Sequence, residues 1–291
     1  MFIRLCWRML RLPSKNNNMP EKDNNNSNNR DRWHETELPV LCRLLLKFIR
    51  AGLSHGKVKK VIHKLWLKSY GDNPVDTIVR GAKYRLDFRD NNPAMKVLFA
   101  SSYDAKELDY LYQASRPEGL FVDIGANIGY YTIDMARRGV NVIAIEPNPD
   151  MVERLLFNLD ANNLASKVIV EELCVADPGI HTLSFRNYGT GSLIALHGPG
   201  KEIQVKGDTL QNILLRNKVS KVSSLKIDIE GTEDRALVPF FENAPRTMWP
   251  ACAVIEHSNR DIWKVDLIEC MLNGGYELVL KKRANSVLVL K

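Results

Sequence analysis

Residues Phe121 to Tyr131 read FVDIGANIGYY, and no other stretch restricts the architecture of this chain as much. Val122 to Ile124 have the apolar character of a buried strand end, and Thr132 opens a helical pattern. Gly125 to Gly129 must then be a strand-to-helix turn at the carboxyl edge of a parallel sheet. Glycine there permits positive φ and lets a ligand approach bare backbone. A dinucleotide loop of the GxGxxG type needs a middle glycine to make room for a pyrophosphate. Here Ala126, Asn127 and Ile128 fill the interval, which disfavours a nicotinamide-dependent oxidoreductase. Asp123 puts an acid at the mouth of the loop, where it would repel phosphate and suit a ligand carrying an ammonium and a sulfonium.

The next strand is predicted over Val140 to Ile145. Glu146 follows it, 21 residues after Gly125, where an acid at a strand end can accept hydrogen bonds from both ribose hydroxyls. Further strand-like runs fall at Leu120 to Ile124, Lys167 to Cys174, Ser224 to Ile229 and Ala251 to Glu256. Helical patterns lie between them at Thr132 to Arg138 and Met151 to Asn162. Such alternation predicts an α/β, doubly wound, mostly parallel sheet. A last pair, Tyr276 to Lys281 and Val287 to Leu290, predicts an antiparallel C-terminal edge. Thr77 to Phe88 reads as a hairpin around Gly81, and Asp104 to Ser115 as a helix.

FVDIGANIGYYTI, the IEPNP after it and LKIDIEGTE resemble, in order from about Thr77 to about His257, the FkbM family of methyltransferases. The resemblance implies the seven-stranded, Rossmann-like sheet of class I methyltransferases, S-adenosylmethionine as cofactor, and O-methylation of a sugar or other hydroxylated metabolite. It assigns Asp123, Gly125, Asn127 and Gly129 to the methionine end, Glu146 to the ribose, and Val175, Ala176 and Asp177 to the adenine side. Gln211 departs from the family pattern, standing where an acid is usual; Asp208 is the nearby candidate to replace it.

Methyl transfer to a hydroxyl needs alignment and a group to take the proton. In LKIDIEG, period two puts Lys226, Asp228 and Glu230 on one side of a strand, a row hard to bury without partners. Asp228 and Glu230 are candidate catalytic groups; a structural Lys226–Asp228 ion pair is the alternative. His257, at the next strand end, is a candidate base because an imidazole titrates near neutrality. Asp228, Glu230, Glu256 and His257 could instead gather a divalent cation, so a direct base and a metal both stand open. Gly189 to Leu193 and the Asp104 to Ser115 helix are candidate walls for the acceptor.

Charge locates the remaining functions. Residues 1 to 70 hold 15 Lys and Arg against 5 Asp and Glu, and the rest of the chain 26 against 29. The catalytic part therefore lacks the basic footprint of a nucleic-acid binder. Residues 1 to 37 are expected to be a disordered, Asn-rich segment, 38 to 70 a basic helical extension with helices at Pro39 to Arg50 and around Val58 to Trp66, and 71 to 291 the methyltransferase domain. The basic extension can lie on an anionic membrane surface or pack its apolar stripe on the adjacent domain. A chain that kept this fold without catalysis would be an adaptor binding through that segment. Arg4, Arg8 and Arg11 interrupt the apolar runs of residues 1 to 12, so neither a signal sequence nor a spanning helix is expected. Five scattered cysteines without CxxC point to a reduced, cytoplasmic setting.

Overall fold

The computed structural model describes residues 32–50, 57–71, 73–87, 104–116, 119–185, 192–193 and 201–291, with Ala94, Val97 and Leu98 besides. Residues 33–291 form one compact unit. The Asn-rich stretch, up to residue 31, and Gly189 to Gly191 of the expected acceptor wall lie outside the described residues.

Helices α1 (Val40–Arg50) and α2 (Lys57–Tyr70) pack against each other. Cys42, Leu46 and Ile49, and Ile62 and Trp66, face inward at helical spacing. Strands β1 (Val75–Val79) and β2 (Ala82–Leu86) form the expected hairpin; its two-residue turn has Arg80 and Gly81 both at positive φ, the conformation that matches strand twist. Helix α3 spans Ala105–Ser115.

The central sheet is built from β3 (Leu120–Ile124), β4 (Asn141–Ile145), β5 (Val168–Glu171), β10 (Ser224–Ile227), β11 (Cys252–Glu256), β12 (Tyr276–Lys281) and β13 (Asn285–Leu290). Its order is β12-β13-β11-β10-β3-β4-β5, parallel from β11 to β5, with β13 antiparallel to both of its neighbours. The seven-stranded, doubly wound sheet with an antiparallel edge is thus present. Because strand side chains alternate, Phe121, Val142, Ala144 and Val254 enter one apolar core while Val122, Ile143, Leu225 and Ile255 enter the other. Helices α4 (Tyr130–Arg137) and α5 (Pro149–Ala161) supply residues to the first core. Helices α6 (Leu210–Arg216), α7 (Glu233–Asn243) and α8 (Leu267–Asn273) supply the second.

Two features differ from the sequence expectation. A second sheet, ordered β6-β9-β7-β8, is made by β6 (Cys174–Val175), β7 (Gly179–Phe185), β8 (Ser192–Leu193) and β9 (Lys201–Asp208). Its buried core is Cys174, Leu183 and Val205, too small to leave a strong apolar alternation in sequence. Strand β10 also ends at Ile227 rather than Ile229, because the chain turns through Glu230 and Gly231 at positive φ.

Asn158 on α5 and Asn162 at its C-terminal cap act as a surrogate strand for β2. Asn158 Oδ1 accepts from the Arg85 N–H (2.7 Å) and its amide donates to the Ile128 carbonyl (3.1 Å). One helical turn on, Asn162 both accepts from and donates to the Lys83 backbone. Asn158→Ala, which strands two backbone groups of which one is in the cofactor loop, is expected to cost about 2 to 4 kcal/mol in urea unfolding, and the more accessible Asn162→Ala about half as much.

Candidate active site

The glycine loop is clamped to the end of β4. Gly125 and Ala126 donate their N–H groups to the Ile145 carbonyl, at 2.9 and 3.1 Å. Asn127 sits at φ 51°, a conformation asparagine tolerates, and its N–H donates to Glu146 Oε2 at 2.8 Å. Gly125, at φ 76°, must be glycine for a second reason: a Cβ there would stand 2.0 Å from the Asp228 carbonyl oxygen. Gly129 has φ 89°, and a Cβ there would meet Leu155 at 2.4 Å. Glu146 is 4% exposed, and its other oxygen accepts from the Asn148 N–H at 3.0 Å. Burial pushes its carboxyl up to about 7 against the pull of these two N–H donors.

Asp123 is not at the mouth of the loop, as its position beside Gly125 suggested. It is 1% exposed and lies under the first turn of α4, with Oδ2 accepting from both the N–H (3.1 Å) and the hydroxyl (2.6 Å) of Thr132. Parallel register sets Asp123 directly beside Lys226 on β10. The Lys226 ammonium donates to the Gly125 carbonyl (3.0 Å) and lies 3.7 Å from both Asp123 Oδ1 and Asp228 Oδ2, above the Tyr131 ring. Burial alone would lower the pKa of Lys226, but Asp228, Asp123 and more distant acids raise it overall. The ion pair weighed from the sequence is therefore real, and it includes Asp123 as well as Asp228.

The rest of LKIDIEGTE shapes the turn that presents Asp228. Glu233 accepts from the N–H groups of Ile229 (2.9 Å) and Gly231 (3.0 Å) and from the Trp263 indole (2.9 Å). Asp228 is left with a side chain 38% exposed beyond the end of β10. Glu230 turns away at φ 59° and accepts from the Asn259 amide at 3.3 Å. Glu256 is buried, with Oε1 bound by the Ser258 N–H, and burial raises its pKa. His257 donates its backbone N–H to the Ala284 carbonyl, and its Nε2 is buried without a hydrogen-bond partner among the described residues. No group of three or more His, Cys, Asp or Glu among the described residues is placed to hold a metal ion.

Two partners escaped sequence reasoning. The Tyr131 hydroxyl donates to Asp104 at 2.9 Å, and Lys282 reaches the fully buried Glu107 at 2.5 Å, joining α3 to the β12–β13 connection. Asp104 and Glu107 carry no spacing signal, because their partners lie 27 and 175 residues away. Asp208 does not replace the acid missing at Gln211 as a free group. Its Oδ1 accepts from the Thr209 N–H and the Asn212 side-chain amide, and its Oδ2 pairs with Arg216 at 2.5 Å, while Thr209 caps α6.

Between the loop and the second sheet lies a small cleft, open to solvent. Gly125 forms one side; Ile145, Pro147, Leu173, Val175 and Leu183 make an apolar slot. Ala176 is half-buried and Asp177 exposed just after Val175, and the Asp177 carbonyl contacts the His181 ring at 2.7 Å.

Solved structures of similar shape include TYW2 from M. jannaschii in complex with AdoMet, 16% identical, covering 76% of this chain and 88% of that one with a TM-score of 0.40. The putative transferase PH0793 from Pyrococcus horikoshii is 17% identical over 80% and 82% of the two chains, with a TM-score of 0.40. An rRNA methylase from Streptococcus thermophilus is 10% identical over 64% and 95%, with a TM-score of 0.38. No curated protein matches. With its strand order and its acid and glycine loop clamped to Glu146, the molecule is of the class I S-adenosylmethionine-dependent methyltransferase type. The family model of the methyltransferase FkbM domain matches residues 123–277, more than half of the sequence, and the chain belongs to that family. Its methyl donor is S-adenosylmethionine.

Glu146 yields a pH prediction. Its raised pKa favours the folded, cofactor-free state fully below its ordinary value of 4.5, and that contribution is lost as pH rises to about 7. Ribose hydroxyls donating to the carboxylate would lower its pKa again. Binding of S-adenosylhomocysteine is then expected to release a proton near pH 6, to tighten as pH rises to about 7 and to level off above it. Titration calorimetry in buffers of different ionisation enthalpy checks this; Glu146→Gln should abolish the proton release.

Proposed function

We propose that the protein is an O-methyltransferase acting on a small, uncharged hydroxylated acceptor, a sugar or glycoconjugate. The observation that carries this reading is the Asp228 carboxylate, exposed beside the cofactor loop and 3.7 Å from the Lys226 ammonium. Bound S-adenosylmethionine supplies a methyl group activated by its sulfonium. Asp228 takes the proton of the acceptor hydroxyl as its oxygen attacks in line with the departing sulfur. Lys226, 3.7 Å away, holds that carboxylate in place until it receives the proton. Asp123 acts at one remove, holding Lys226 and the start of α4, while Glu146 holds the ribose and the slot ending at Val175 and Ala176 holds the adenine. The Tyr131–Asp104 pair offers polar atoms to further hydroxyls. Glu230 and His257 are positioning groups in this reading, since one is turned toward Asn259 and the other is partly covered.

Electrostatics favour a neutral acceptor over RNA. The groups that act on one another around Asp104 and Lys226 are Asp104, Glu107, Asp123, Glu146 and Asp228 against Lys226 and Lys282. A polyphosphate would meet the exposed Asp228 carboxylate beside the loop.

Asp228→Asn is expected to lower kcat by roughly 10² to 10⁴ while leaving S-adenosylhomocysteine affinity within about twofold. Incubation with labelled methyl donor and separated pools of oligosaccharide, glycolipid and RNA identifies the acceptor. Label in RNA alone would overturn the carbohydrate reading.

A further inference from the structure

Helices α1 and α2 are apolar on two faces, and among the described residues only one is covered. Opposite the inward residues, Leu44 is 56% and Val61 54% exposed, with Leu41, Phe48, Val58 and Leu65 also exposed. Val40, Arg43, Leu44, Lys47 and Phe48 recur at i, i+3, i+4, i+7 and i+8, so apolar and basic side chains share one stripe. On α2 the same holds for Val61, Lys64, Leu65 and Lys68. Residues 38–70 contain eight Lys and Arg and no Asp or Glu.

We propose that this stripe docks the enzyme on the surface of an anionic phospholipid bilayer. The mixture of side chains selects that occupant. Leucine, valine and phenylalanine at the acyl boundary would leave water, while the long Lys and Arg stems reach outward to the lipid phosphates. A second copy of the chain would bring the stripe's four positive charges, Arg43, Lys47, Lys64 and Lys68, against four, with no acid in residues 38–70 to relieve them. RNA would answer the charge but leave the apolar residues without a role. No described helix is long and apolar enough to cross a membrane, so docking would be at the surface. The inference does not depend on the identity of the methyl acceptor.

Flotation of the full-length protein with vesicles tests it, using phosphatidylcholine alone and phosphatidylcholine with about one-third phosphatidylglycerol. Binding to the anionic vesicles is expected to exceed binding to the neutral ones by roughly tenfold or more and to weaken with added salt. Leu44→Glu with Val61→Glu should abolish it with an unchanged melting temperature, since both side chains are exposed. Lys64→Glu with Lys68→Glu should weaken it by at least roughly tenfold, at about fivefold for each lysine near the surface. Equal or absent binding to both vesicles would overturn the proposal, as would full retention by Leu44→Glu with Val61→Glu. So would displacement of the vesicles by RNA, or a dimer in sedimentation that Val61→Glu dissociates. Loss caused instead by Arg4, Arg8 and Arg11→Glu, with the α1 and α2 variants still bound, would assign membrane contact to the first residues and also overturn it.

Discussion

Most of the site depends on one buried ammonium. Lys226 stands in the middle of the central sheet, where its charge is tolerable only because Asp123 on the adjoining strand and Asp228 beyond its own strand face it. A buried pair of this kind adds little net stability, since desolvation offsets the attraction, but removing one member typically costs about 3 to 5 kcal/mol. Its main effect is on register. Slipping β10 by one residue against β3 would turn Lys226 into the opposite apolar core and strand Asp123 beneath α4. The same ammonium binds the Gly125 carbonyl, so register, loop conformation and the position of Asp228 are fixed together.

This explains why a loop with few ligand-facing side chains can be rigid. Gly125 is pressed against the Asp228 carbonyl, Asn127 is tied to Glu146, and Thr132 is held by Asp123. These contacts preorganise a backbone surface with one buried, proton-holding carboxyl at its edge. Methyl transfer demands alignment above all, and a preordered loop supplies it without ordering costs at the moment of binding. Asp123 and Asp228 face Lys226, while residues 38–70 hold eight Lys and Arg and no Asp or Glu.

Much of this was legible in the sequence because it is local or periodic. The central-sheet strands from Leu120 to Glu256 and the antiparallel final pair follow from apolar period and turn residues, with boundaries shifted by up to three residues: the run expected over Lys167 to Cys174 ends at Glu171, and Cys174 opens a strand of the second sheet. The second sheet was not legible, since three buried side chains leave too faint a pattern. Within the site, Glu146 and the glycines were readable from spacing. Asp123 was identified but misplaced: sequence gives its distance from Gly125 along the chain, not that Thr132 folds back over it. Glu233, which shapes the turn around Asp228, was not singled out, because its partner Trp263 lies 30 residues away.

From the sequence by itself came the sheet, the family resemblance, the expected methyl donor and the confinement of basic charge to the first 70 residues, because each rests on neighbours along the chain or on composition. Only the tertiary structure decided which charges meet. The pairs Lys226 with Asp123, Tyr131 with Asp104 and Lys282 with Glu107 span up to 175 residues, and they exist because parallel register and helix docking bring distant segments within a few ångströms. The loop that restricts the fold so strongly is therefore only half specified by its own residues. Its other half is the Asp228 carbonyl and the Lys226 ammonium, delivered by a strand a hundred residues away.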